Sequence, residues 1–126
     1  MTDRPLLLAA GLVATAAGLD TVLRGQRSFA GVTDAGGPEV ESETRFYGGV
    51  YLGLGLTLLS LSQRERPDPA ALPALAGTVF LGGLARAGAW RATGPPHPAQ
   101  RALLAVELGA PLAALLWRRR TGRPST

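Results

Sequence analysis

Cysteine and lysine are both absent from the 126 residues, and histidine occurs once. Lack of cysteine excludes disulfides, thiol nucleophiles and thiolate metal sites. A single His97, set among prolines, excludes a histidine-built metal centre, because such a site needs three or four converging ligands. Ser28, Ser42, Ser60 and Ser62 have no His/Asp constellation around them, and the glycines follow no phosphate-binding spacing, so hydrolase and nucleotide chemistry find no support. No cofactor is expected. With lysine missing, all 13 basic side chains are arginine. The net charge of +4 does not point to nucleic acid, since the arginines flank apolar stretches and form no basic recognition helix.

What the chain has in excess is apolar residues, 46% of the total, concentrated in four blocks, 5–23, 46–62, 72–90 and 102–117. About 17–25 mainly apolar residues carry a helix across a bilayer, so the blocks predict an all-α integral membrane bundle of four short transmembrane helices forming one domain, residues 1–126. A soluble four-helix bundle would show a polar face on each helix. Residues 6–19 offer only the Thr15 hydroxyl, and residues 52–61 only Thr57 and Ser60. A secretory signal over the first block is the competing reading, given the small residues Ala14–Ala17. Its leading residues are only weakly basic, and Asp3 followed by Pro5 suits a helix start instead.

Four crossings put both termini on one side of the membrane, together with the connection 63–71. That side carries Arg4, Arg64, Arg66, Arg118, Arg119, Arg120 and Arg123, against Arg24, Arg27, Arg45, Arg91 and Arg101 on the other. Basic residues favour the cytoplasm, which makes this a multi-pass protein of the inner (plasma) membrane with cytoplasmic termini. The connection 25–44, with Gly31, Gly36, Gly37 and Pro38, is expected to be an exposed loop. Glu41 and Glu43 then lie just before the second helix, opposing its positive end. Residues 94–98, Gly-Pro-Pro-His-Pro, make a stiff turn, and 121–126 read as a disordered tail.

Charges inside spans are costly and mark the places to look for function. Arg86 lies four residues before the end of its block and Glu107 five after the start of the next. At about 1.5 Å per residue both sit at similar depth on neighbouring antiparallel helices, where they can pair. Asp20 and Arg45 belong to the same end, and Tyr47 and Tyr51, at i and i+4, add hydroxyls from one helix face. Pro111 frees the Glu107 carbonyl beside that carboxylate. Together these residues describe an outward-facing polar cup, structural or ligand-binding. Gly49 and Gly53 are four apart, Gly48 and Gly55 seven, and Gly11 and Gly18 seven, the intervals at which small residues let membrane helices approach. They serve packing within the bundle or, through Gly49 and Gly53, dimerisation.

The run 43–55, Glu-Thr-Arg-Phe-Tyr-Gly-Gly-Val-Tyr-Leu-Gly-Leu-Gly, followed by Leu84-Ala85-Arg86 and a lone Glu107 in the last helix, resembles the domain-of-unknown-function 4345 family of small bacterial membrane proteins. The resemblance covers most of the chain. It implies a four-helix membrane protein without assigned activity, with Arg45, Tyr47, Gly48, Gly49, Arg86 and Glu107 at its typical positions. Arginine- and alanine-rich, lysine-free usage also resembles a high-GC bacterial genome.

Three functions follow. An accessory or assembly subunit would pack its small-residue faces against other membrane helices, those of a larger complex or of a second copy. A binding or transport protein would hold a small anion or a lipid headgroup in the cup around Arg86 and Glu107. A lipid-directed enzyme would use Glu107 or Asp20 as general base, but the sequence offers it no second catalytic group.

Overall fold

A computed structural model describes residues 3–33 and 36–122. Among these, four helices account for most of the chain and no strand occurs: α1 (Arg4–Arg24), α2 (Pro38–Ser62), α3 (Ala71–Thr93) and α4 (Pro98–Thr121), with a 3-10 turn at Gly25–Ser28 after α1. The architecture is all-α. Three helices are long and apolar enough to cross a membrane: α1 with its 3-10 turn, α3 and α4. α2 falls short because its apolar part is confined to 46–62 and its first turns carry Glu39, Glu41, Glu43 and Arg45.

The helix ends follow from local chemistry. α1 stops where Gly25 takes φ +58, a left-handed conformation that a side chain disfavours. α3 stops at Gly94, φ +97, whose N–H reaches back to the Trp90 carbonyl at 2.8 Å. In α4 the His97 side chain accepts the Ala99 N–H at 3.2 Å, with Pro98 in the first turn, where a missing N–H is harmless.

Two expectations are corrected. The connection between the first two helices is shorter than 25–44, because α2 begins at Pro38, with Gly37 as its N-cap and Glu39 and Glu41 in its first turn. Glu41 and Glu43 are therefore inside α2. Hydropathy locates the apolar part of a helix, and here the helix extends about two turns beyond it. α4 also starts before its apolar block, at Pro98, and continues through Thr121, so that residue is helical. The remainder of the proposed tail, 123–126, lies outside the described residues, as does Asp34.

The chain divides into two compact units, one built from α1 and α2 and the other carrying α3 and α4. In the first, α1 and α2 run antiparallel with glycines at the contact. A side chain at Gly11 would meet Leu59, one at Gly55 would meet Thr15, one at Gly18 would meet Leu52, and one at Gly48 would meet Thr21 and Val22. Leu7, Gly11, Gly18 and Thr21 on α1, with Gly48, Gly55, Leu58 and Ser62 on α2, form the buried faces. Close backbone approach replaces the hydrophobic drive that lipid does not supply. In the second unit α3 and α4 pair across Gly83, where an added Cβ would lie 2.8 Å from Leu108 and 3.1 Å from the Glu107 Cβ.

Outward surfaces are apolar. Leu12, Val13 and Leu23 of α1, Leu81 of α3, and Val106, Leu112 and Leu116 of α4 are all exposed. Only 6% of the most apolar stretch of α4 is buried. Such surfaces suit a bilayer, where every backbone polar group must be satisfied within the helix.

Candidate functional site

The polar residues gather in two places, one in each unit. In the α3–α4 pair, Arg86 forks onto Glu107, Nε to Oε2 at 2.8 Å and Nη2 to Oε1 at 2.9 Å. The two-pronged geometry is the strong form of an arginine–carboxylate contact. Gly83, one turn earlier on α3, leaves room for the Glu107 Cβ, and Pro111, buried within α4, removes the hydrogen bond that the Glu107 carbonyl would receive. The two side chains differ in cover: Arg86 is 32% exposed and Glu107 17%. The exposed side of Arg86 lines an open groove of about 390 Å³, with Gly82, Ala89, Trp90, Thr93 and Gln100.

In the α1–α2 pair, Asp20 and Arg45 are each held by a neighbour one turn away. Arg24 donates to both Asp20 oxygens, at 2.6 and 2.9 Å. Arg45 donates to Glu41 at 2.8 Å and to the Val22 carbonyl at 2.7 Å, tying α2 to the end of α1. Tyr47 and Tyr51 point outward from α2, 59% and 51% exposed, and the Tyr47 ring meets Phe46 edge-on, with centroids 5.5 Å apart. The i,i+4 spacing of Asp20 with Arg24 and of Glu41 with Arg45 is the sequence signal for these pairs.

A residue without any such signal completes this site. Gln26 is buried and behaves as a surrogate peptide group: its Oε1 accepts the Gly36 N–H at 2.8 Å and its Nε2 donates to the Gly36 carbonyl at 3.3 Å. The Glu41 carboxylate accepts both the Gln26 backbone N–H, at 3.1 Å, and the Gln26 side chain, at 3.2 Å. Thr21 and Ser28 join hydroxyls at 3.1 Å across the 3-10 turn. A Cβ at Gly25 would collide with the Glu41 carboxylate. The turn between α1 and α2 is thus closed around one carboxylate, beside an open cleft of about 590 Å³ that Arg24, Arg27 and Arg45 line.

Glu41 lies before the apolar part of α2, and its carboxyl is held below the usual carboxylate value, first by the Gln26 N–H and then by Arg45. A carboxylate whose folded pKa is depressed stabilises the fold above its unfolded pKa, and that contribution disappears as pH falls through the folded value. Protection of the Gln26 amide against hydrogen exchange is therefore expected to hold at neutrality and to fall progressively once the pH drops below the usual carboxylate range. Glu41→Gln should remove the acid step, and an unchanged step in that variant would assign it to another group.

The glycines separate by face. Gly48 and Gly55 are buried against α1, whereas a side chain at Gly49 or Gly53 would meet nothing within 4 Å. Among the described residues, no three His, Cys, Asp or Glu side chains come together.

A family described as a domain of unknown function (DUF4345) matches residues 3–118. The chain belongs to that family. The match takes in both units, including the Arg86–Glu107 pair and the carboxylate-closed turn, and the DUF4345 description carries no activity. Among curated proteins and among solved structures nothing matches the chain.

Proposed function

We propose that this DUF4345 protein spans the inner membrane four times with both termini in the cytoplasm, and that it acts as an accessory or assembly subunit packing against other membrane helices. The 17-residue, mainly apolar block 46–62 reaches the lower limit of about 17 for a crossing, which allows α2 to join the three longer spans. The arginine distribution, seven against five, favours cytoplasmic termini.

The observation that carries the subunit reading is the set of open glycines. Gly49 and Gly53 on α2, Gly77 and Gly88 on α3, and Gly109 on α4 have nothing from neighbouring elements within 4 Å of where a side chain would be. They interrupt surfaces that otherwise expose leucine and valine. Freely exchanging lipid chains do not require a small residue at the surface, whereas a second helix gains close backbone contact from one. The charged side chains Asp20 and Arg24, Glu41 and Arg45, and Arg86 and Glu107 are also engaged with each other, which suits a scaffold better than a reaction centre.

Purification of the tagged protein from its native host in mild detergent, followed by mass spectrometry, tests this directly. A stoichiometric larger membrane protein is the expected companion. Recovery of the chain alone under conditions that preserve other complexes would sink the subunit reading, and a homodimer would redirect it to the Gly49/Gly53 face.

A further inference from the structure

The groove beside Arg86 poses a problem that packing between subunits does not address. Arg86 lies one turn before Trp90 and is the one charged residue of the apolar block 72–90, and a third of its side chain remains uncovered. A charge at that level does not face acyl chains; it meets water, protein or a headgroup. Trp90 itself, partly exposed at 37%, is the residue type that settles at headgroup depth.

Charge selects among these. Glu107 is the only acidic residue between Ala71 and Thr121, whereas Arg86, Arg91 and Arg101 all lie towards the α3–α4 turn. After Arg86 and Glu107 neutralise each other, Arg91 and Arg101 remain exposed next to the groove residues Trp90 and Gln100. The turn therefore carries an excess of positive charge. Thr93, whose hydroxyl donates to the Ala89 carbonyl at 2.8 Å, and Gln100 also line the groove, and its volume of about 390 Å³ falls within the range of about 300–1,000 Å³ usual for small-molecule sites. Deeper along the same face, Gly82 leaves open space, with nothing within 4 Å of where its side chain would be.

We infer that this groove binds one anionic phospholipid. Its phosphate sits between Trp90 and Gln100 beside the Arg86 guanidinium, and its acyl chain passes over Gly82. The arginines at the turn attract the headgroup, the indole sets its depth, and the missing side chain at Gly82 admits the tail. The Arg86–Glu107 pair holds the guanidinium in place and does not itself carry the ligand. This site is independent of any partner subunit.

The test is native mass spectrometry of the full chain in mild detergent, titrated with phosphatidylglycerol or with phosphatidylcholine of the same acyl chains. One phosphatidylglycerol should be retained in preference to phosphatidylcholine. Gly82→Leu, which fills open space and leaves the ion pair intact, should lower its retention by about tenfold, and Arg101→Gln should lower it less. Helical circular dichroism of each variant verifies that the fold persists. Equal retention of the two lipids, or undiminished phosphatidylglycerol on Gly82→Leu, would overturn the proposal. Displacement by excess inorganic phosphate would assign the site to a free anion instead, and loss of a co-purifying protein with lipid retention unchanged would make the groove a helix-docking face.

Discussion

Arg86→Ala is expected to destabilise the protein in detergent by about 3–5 kcal/mol, the usual cost of leaving a covered charge without its partner. Glu107→Ala should cost less. The asymmetry comes from exposure: removing Arg86 strands a carboxylate that is only 17% exposed, whereas removing Glu107 leaves an arginine already 32% exposed, whose long stem can carry the guanidinium towards the headgroups. In the Arg86→Ala/Glu107→Ala double variant neither charge remains, so its loss should be smaller than the sum of the two single losses. A coupling of about 0.5–3 kcal/mol is expected for residues in direct contact. Unfolding by dodecyl sulfate in mixed micelles, followed by circular dichroism, measures all three. Additive losses would show that the pair contributes nothing as a pair, and equal single losses would show that exposure does not set the cost.

That this pair was legible in the sequence at all rests on arithmetic. Arg86 and Glu107 lie at matching distances from the ends of consecutive apolar blocks, and a short turn makes their helices antiparallel, so equal depth follows from the rise per residue. The contact at 2.8 Å follows from that register. The start of α2 was readable from a different signal, which hydropathy overrides. Gly37, Pro38, Glu39 and Glu41 are a helix opening by cap, first-turn proline and early acids, yet their polarity places them outside any apolar block. Gln26 was not readable, because its role depends on where the turn brings Gly36 and Glu41. Buried glutamine between two arginines in sequence looks like any solvated loop residue until the chain is folded around it.

The glycines of α2 illustrate both limits and lead to the sharpest test. Successive residues on a helix are about 100° apart, so Gly48 and Gly55 fall on one face and Gly49 and Gly53 on another, over a quarter turn away. The sequence therefore contains two glycine faces but does not tell which one meets α1. In the structure the first face packs and the second is open.

Gly55→Leu and Gly18→Leu should prevent α1 and α2 from pairing, because the new Cβ would run into main chain: Thr15 in one case, Leu52 and the Gly48 carbonyl in the other. Overpacking usually costs about 1–3 kcal/mol when side chains can yield. A helix backbone yields far less, so little or no folded protein is expected on size exclusion in detergent. Gly49→Leu and Gly53→Leu meet open space and replace a poor helix former, a change worth up to about 1 kcal/mol in favour of the helix. Their isolated stability should be unchanged or higher. The same two variants then separate a lipid-facing surface from a docking surface, since a leucine facing lipid has no consequence, whereas one set into a helix–helix contact expels the partner. Loss of a stoichiometric companion from Gly49→Leu and Gly53→Leu, with the fold intact, would place the interface on this face of α2; retention in both would move it to α3 or α4, where Gly77, Gly88 and Gly109 are further open positions.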